Sequence, residues 1–302
     1  MPPIELRDLT KHFGDVVAVD GLDLEIEDGE IFGFLGPNGA GKTTTIDVML
    51  DFVRPTSGQV RLFGMDPREH ARAVRQRTGV LPEGFGVYER LTGHRHVEFV
   101  IESKGTGEDP MAMLERTGIA DAADRKAGGY STGMKQRLGL AMALVGDPDL
   151  LILDEPSTGL DPNGAREMRT VIREERDRGA TVFFSSHILE QVEAICDRVG
   201  ILRNGRLVAE DTIEGLRRAV GDGGSIVVTT DDPEGAADLA GTVDGVAGVT
   251  VGGDQVRIAI GEADKIDLLQ AIEAGGIEVL DFRTEEVALD ELFRTYTQEA
   301  AP

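Results

Sequence analysis

The chain has 302 residues, room for one large domain or two ordinary ones. Its 31 Lys+Arg against 55 Asp+Glu leave a formal net charge of −24, yet 40% hydrophobic residues can still build a core, so the composition excludes a disordered chain. No basic stripe marks a nucleic-acid face, and Cys196 is the single cysteine, which excludes an internal disulfide.

The cations are six lysines and 25 arginines. A lysine-poor, acidic surface predicts a halophile-like protein, in which salt screens the self-repulsion of the carboxylates. Met1-Pro2-Pro3-Ile4-Glu5 carries no basic and apolar signal region, and no stretch reaches the roughly 20 apolar residues of a membrane span. The expectation is a cytoplasmic chain that reaches a membrane only through a partner.

Residues 4 to 30 hold short apolar runs: Ile4-Glu5-Leu6, Val16-Val17-Ala18-Val19 and Leu22-Asp23-Leu24-Glu25-Ile26. They predict antiparallel strands, with turns at Phe13-Gly14-Asp15 and Glu27-Asp28-Gly29-Glu30. A buried strand, Ile31-Phe32-Gly33-Phe34-Leu35, then leads into Gly36-Pro37-Asn38-Gly39-Ala40-Gly41-Lys42-Thr43-Thr44 and a helical run to Phe52. Strand, glycine-rich turn and helix are the context in which G-x-x-x-x-G-K-[ST] becomes a phosphate site. Gly36, Gly39 and Gly41 free the backbone so that successive N–H groups can face one phosphate. The helix adds its positive end. Lys42 reaches the β- and γ-phosphates of ATP, and the Thr43 hydroxyl reaches Mg²⁺.

Further along, the pattern predicts a strand over 59–63, a helix over 67–77 and a strand over 78–82. From Gly84 to about 145 it reads as a helical insertion. Leu150-Leu151-Ile152-Leu153 is a wholly apolar strand that ends in Asp154-Glu155, and 181–186 is another that ends at His187. Apolar strands alternating with helices predict an α/β fold around a largely parallel sheet, with ligands at the strand carboxyl ends. Asp154 is the expected Mg²⁺ carboxylate, and Glu155 is placed to polarise water. An isolated Asp-Glu pair would instead cap the next helix. Ile188 to Val199 reads as an amphipathic stretch in which Cys196 is a small apolar residue.

Glycine and aspartate at 221–224 place a domain boundary, giving domains 1–220 and 221–302. The second runs strand (226–230), helix (233–243), strand (246–251), strand (256–260), helix (263–274), strand (277–282). That is the ferredoxin-like order of a small α+β domain. An amphipathic helix over about 289–298 closes the chain.

Tyr130-Ser131-Thr132-Gly133-Met134 resembles the LSGGQ signature segment of ATP-binding cassette (ABC) proteins, about 20 residues before Asp154. Ser157-Thr158-Gly159-Leu160-Asp161-Pro162 resembles their D-loop, and Ser186-His187 their switch histidine. Phe13 matches the aromatic that stacks on adenine, and Glu83 stands where the family has a glutamine contacting Mg²⁺. The resemblance spans residues 4 to about 215. Thr132 replaces a glycine, Met134 a glutamine and Glu83 a glutamine, variants like those of the drug- and ion-export branch. That branch also carries a small C-terminal domain. Taken singly, Phe13 reads as a core residue, His187 as a surface or capping residue and Ser131 as a helix N-cap.

The resemblance implies an ABC cassette: a mixed-sheet P-loop core, an antiparallel β subdomain and a helical insertion. It implies ATP hydrolysis with Mg²⁺, held by Thr43, Glu83 and Asp154, with Lys42, Glu155 and His187 as catalytic residues. It implies nucleotide contacts from Phe13, residues 36–44 and Asp161, and from Ser131 and Gly133 across a head-to-tail homodimer. Membrane permease subunits would dock near residues 83–100 and carry the cargo, in the outward direction. A non-transport ABC ATPase or a regulatory cassette is the alternative. No long coiled coil separates Lys42 from Asp154, and no second cassette is present, which argues against chromosome-maintenance and translation-factor cassettes.

Overall fold

The structure is a computed structural model that describes residues 1–219, 225–260 and 265–285. It divides into two compact units, 1–212 and 213–302. The division falls ahead of the glycine-rich 221–224, which lies outside the described residues.

The first unit opens with β1 (Ile4–Phe13), β2 (Val16–Ile26), β3 (Ile31–Leu35), α1 (Lys42–Met49), β4 (Ser57–Leu62), α2 (Ala71–Arg77) and β5 (Thr78–Leu81). Three helices follow: α3 (Gly93–Lys104), α4 (Pro110–Arg116) and α5 (Thr132–Leu144). The chain then runs β6 (Leu150–Asp154), α6 (Pro162–Arg178), β7 (Thr181–Ser186), α7 (Leu189–Glu193), β8 (Arg198–Arg203) and β9 (Arg206–Thr212).

β2, β1 and β4 form a three-stranded antiparallel sheet in that order. The second sheet has the order β5-β6-β7-β3-β8-β9. It is parallel except for β9, which pairs antiparallel with β8. Every residue of β3, β6 and β7 is buried, as expected of parallel strands covered on both faces. The Phe183 ring lies 5.1 Å from that of Phe34 and 6.2 Å from that of Phe32. One core joins these rings to Ile4, Leu6, Leu22 and Leu24 of the antiparallel sheet.

The local sequence explains the helix limits. Thr92 caps α3 by accepting the Arg95 N–H at 3.3 Å, and Gly105 ends it at φ 69°. Asp109 and Asp161 cap α4 and α6, each followed by proline at the first helical position.

Several expectations need correction. Val16–Val19 and Leu22–Ile26 are one strand, bent at Gly21 (φ 60°) opposite a register shift in β1. Phe13 belongs to β1 rather than to the turn. Residues 84–92 precede the first helix of the insertion, because Thr92 caps at 92 and not earlier. α2 begins at Ala71, not 67. In the 188–199 stretch, α7 ends at Glu193 and β8 starts at Arg198, so Cys196 lies between a helix and a strand. Its sulfur packs on Gly33, where a Cβ would stand 2.9 Å from it, and burial pushes the thiol pKa well up. β8 and β9 lack the long apolar runs of β6 and β7 and are not marked by the sequence pattern.

The second unit holds α8 (Ile213–Ala219), β10 (Ser225–Thr230), α9 (Pro233–Ala240), β11 (Val246–Gly252), β12 (Gln255–Ile260), α10 (Lys265–Ala274) and β13 (Val279–Glu285). Its strands pair antiparallel in the order β11-β12-β10-β13. Its core joins Ile226, Val228, Val256 and Ile258 to Ala236, Ala240, Leu268 and Ile272 of the two helices. The helix expected over 289–298 lies outside the described residues. No helix among the described residues is long and apolar enough to cross a membrane.

Candidate active site

The segment Gly36–Thr44 joins the carboxyl end of β3 to α1. Gly39 and Gly41 take φ of 81° and 110°, the left-handed region that glycine alone enters freely. Gly36 is required for a different reason than the sequence suggests. Its φ is ordinary, but a Cβ there would stand 2.5 Å from the Leu202 carbonyl. Pro37, Asn38 and Gly39 are exposed at the tip, Ala40 is buried beneath them, and Thr44 is half-buried. The Gly36 N–H donates to the Ser186 carbonyl at 3.3 Å, which ties the loop to the end of β7.

Lys42 is buried. Its Nζ donates to the Gly36 carbonyl at 2.7 Å and lies 3.6 Å from Glu155 Oε1. Glu155 follows β6 at φ 49°, an uncommon position for a residue with a side chain and a local strain of the kind that gathers at functional sites. Its N–H donates to both the carbonyl (3.3 Å) and the hydroxyl (3.1 Å) of Ser185. Its Oε2 pairs with His187 Nδ1 at 2.9 Å, while its Oε1 is buried without a hydrogen-bond partner. Lys42, Glu155 and His187 therefore meet at the ends of β3, β6 and β7.

Asp154 is 1% exposed. Burial pushes its carboxyl pKa up, hydrogen bonds from Ser185 and Thr43 oppose that, and the charges of Glu83 and Glu155 add to the rise. The Thr43 hydroxyl also lies 3.2 Å from Glu83 Oε2, so its one proton is shared between the Asp154 and Glu83 carboxylates. A hydroxyl among carboxylates is a hard-oxygen donor set, suited to a divalent cation that also takes phosphate oxygens and water. Among the described residues, no group of three or more His, Cys, Asp or Glu forms an all-protein metal cage.

Phe13 stands 49% exposed at the end of β1, with Lys11 Nζ 4.6 Å from its ring centroid, so a ring face is open to a flat ligand. Ser131 caps α5 by accepting the Met134 N–H at 3.2 Å. Gly133 lies against Leu160 and Gly159 of its own chain, where a Cβ would have 3.2 Å and 3.4 Å of clearance. Asp161 caps α6 by accepting the Gly164 N–H at 2.7 Å.

Two participants escape the sequence reading. Ser185 holds both Asp154 and the Glu155 backbone, and Gln136 of α5 donates to the Glu155 carbonyl at 3.4 Å. The available signal for the first is a pair of serines directly after the apolar run Val182-Phe183-Phe184.

Comparison with known proteins agrees with this geometry. Residues 19–158 match the ABC transporter family. The chain is 36% identical over 303 residues to the bacitracin transport ATP-binding protein BcrA of Bacillus licheniformis, spanning 96% of this chain and 95% of that one. It is 34% identical over 292 residues to the daunorubicin resistance ATP-binding protein DrrA3 of Streptomyces coeruleorubidus, spanning 94% and 92%. Among solved structures, the ATP-binding subunit of an ABC transporter superposes with a TM-score of 0.67 at 28% identity, covering 72% of this chain and 92% of that one. With relatives of this similarity along nearly its whole length, the chain belongs to the ATP-binding subunits of ABC transporters.

Proposed function

We propose that the chain is the ATP-hydrolysing subunit of an exporter. It pairs head to tail with a second copy and drives separate membrane permease subunits from their cytoplasmic side. The observation that carries this reading is the convergence of Lys42, Glu155 and His187 at neighbouring strand ends. The bacitracin and daunorubicin relatives, both ATP-binding proteins of transport or resistance, support the export assignment.

In this reading Lys42 reaches the β- and γ-phosphates, where it offsets developing charge. Glu155 accepts a hydrogen bond from the attacking water, and His187 orients it and the γ-phosphate. Thr43, Asp154 and Glu83 would hold Mg²⁺, which would supply charge neutralisation at the phosphates. Phe13 stacks on the base. Ser131 and Gly133 present the start of α5 to nucleotide held by the other copy, as helix N-termini suit anions. Asp161 joins this interface through the D-loop resemblance. The order β10, α9, β11, β12, α10, β13 with sheet order β11-β12-β10-β13 supports reading the second unit as a ferredoxin-like accessory domain.

The test compares Glu155→Gln with Lys42→Ala. Glu155→Gln keeps shape and removes the charge on the base, so turnover drops by about 10²-fold or more while MgATP still binds and a dimer accumulates. Lys42→Ala weakens nucleotide binding and abolishes turnover. A Glu155→Gln protein that turns over normally, or stays monomeric at high ATP and protein, sinks the reading.

A further inference from the structure

The signature-like segment opens with Tyr130, where the usual form has leucine. The ring is 5% exposed, and its Oη donates to the Ala122 carbonyl at 2.6 Å. The hydroxyl sits against the first turn of α3. A Cβ on Gly93 would stand 2.3 Å from Oη and 3.3 Å from Cζ. Arg125 lies over the ring at 6.0 Å and donates to the Gly129 carbonyl at 3.1 Å. Burial pushes the phenol pKa up, opposed by Arg125 and by a hydrogen bond from the Gly93 backbone N–H, so the hydroxyl keeps its proton as a donor.

The backbone on either side is tied to the segment leading into α3. Ala127 N–H donates to the Leu91 carbonyl at 2.8 Å, Gly128 N–H to Glu89 at 3.1 Å, and His94 N–H to Ala123 at 3.0 Å. Ser131 follows directly, extended at φ −65° and ψ 166°, with its hydroxyl capping α5. Tyr130 is thus the side chain that fixes the chain just before the cap. An apolar side chain could fill the ring's seat. It would need neither the Ala122 carbonyl nor the space left by Gly93, so the hydroxyl does something that packing alone does not require.

We propose that Tyr130 is a positioning residue, whose hydroxyl, seated between the Ala122 carbonyl and Gly93, aims Ser131 at nucleotide held by a second copy of the chain. This rests on the head-to-tail pairing proposed above. Loss of the hydroxyl leaves the Ala122 carbonyl without its partner and lets the segment before α5 shift. It touches neither Lys42 nor Asp154, so nucleotide binding by one copy alone is unaffected.

The experiment places all variants in a Glu155→Gln parent and follows MgATP-dependent pairing by sedimentation across a protein series. A fluorescent ATP analogue at low protein measures binding by the monomer, and thermal melting reports the fold. Tyr130→Phe weakens pairing by at least about fivefold per signature segment, the factor for the bond to the Ala122 carbonyl alone at about 1 kcal/mol, and by at least about 25-fold for a pair that uses two segments. Monomer affinity stays within twofold of the parent. Gly93→Ala weakens pairing further, because its Cβ and the phenol oxygen claim the same space. Adding Tyr130→Phe to Gly93→Ala brings pairing back to the level of Tyr130→Phe alone, since the nearest ring atom is then at 3.3 Å. General loss of fold would not give that rescue. Equal pairing of Tyr130→Phe and its parent, or no rescue in the double variant, overturns the positioning role alone. A parent that never pairs overturns the head-to-tail reading, and this role with it.

Discussion

Glu175 offers a sharp test of what holds the helical insertion to the core. It lies in α6, 1% exposed. Its Oε2 accepts from Arg178 Nε at 3.0 Å and Nη2 at 2.7 Å, and its Oε1 accepts from Arg116 at the end of α4. One buried carboxylate thus links α4 to α6. Charge-assisted hydrogen bonds contribute about 1.5–3 kcal/mol each in isolation, and breaking a buried ion pair costs about 3–5 kcal/mol. Arg116 and Arg178 are 30% and 35% exposed, so both regain water when the carboxylate is removed, which puts the loss at the lower end. Glu175→Ala should cost about 3 kcal/mol. A unit of this size shifts its melting temperature by about 2–4 °C per kcal/mol, so the expected drop is about 6–12 °C. Glu175→Gln keeps an acceptor and should lose about half as much. Differential scanning calorimetry on the nucleotide-free protein is the assay, with ATP affinity expected to hold. A drop below about 2 °C for Glu175→Ala would refute the reasoning, because the arginines would then be satisfied without the carboxylate.

Asp154→Asn should raise the melting temperature of the nucleotide-free protein while abolishing hydrolysis. The folded-state pKa of Asp154 is raised by burial, so protonation favours the fold and that gain is lost as pH rises through the folded value; at neutral pH the carboxyl is a net cost to the fold. A lower melting temperature for Asp154→Asn at pH 7 would contradict that sign. Phe13→Ala should leave melting nearly unchanged, since the ring is half exposed, and raise the KM for ATP about tenfold, as loss of one base-stacking contact does. Steady-state kinetics with Phe13→Tyr as the conservative control checks it, and an unchanged KM for Phe13→Ala removes Phe13 from the site. With a net charge of −24, both melting temperature and ATP-driven pairing should rise as potassium chloride goes from 0.1 to 2 M. The screening length falls from about 10 Å at 0.1 M to about 3 Å at 1 M. Full stability and pairing at 0.1 M would remove the salt-adapted reading and leave the ATPase reading standing.

The parts of the site legible in the sequence are those whose chemistry is contiguous. The loop from Gly36 to Thr44 carries its strand, turn and helix in one stretch, and Asp154-Glu155 sits directly after four apolar residues. Even there, the reason for a residue type was only partly visible. Gly39 and Gly41 need their positive φ, but Gly36 answers to the Leu202 carbonyl, 166 positions along the chain. Ser185 could not be singled out, because its role depends on β7 lying beside β6, a pairing no local pattern states. Glu175 was hidden for the same reason. Its arginine on α4 is 59 positions away, and on its own it reads as one more charge on an exposed helix face.

Ser131 and Asp161 show a different limit. Ser131 is open to two readings, a helix cap or a member of the nucleotide site, whereas Asp161 enters only through the D-loop resemblance; the chain displays a cap in both cases. The two readings use the same physics. A residue that satisfies a free N–H at a helix start also marks where such N–H groups converge, and convergent N–H groups favour an anion. Capping is therefore no argument against a site at Ser131. It fixes the direction of α5 and leaves the first-turn N–H groups that the hydroxyl does not use. What separates the readings is the seat beneath. The phenol of Tyr130, bonded to the Ala122 carbonyl and fitted against Gly93, secures the approach to Ser131 from outside the helix. For Asp161, the Gly164 N–H at 2.7 Å and the proline at the first helical position account for the carboxylate as a cap, and its membership in the site depends on what a second copy brings to it.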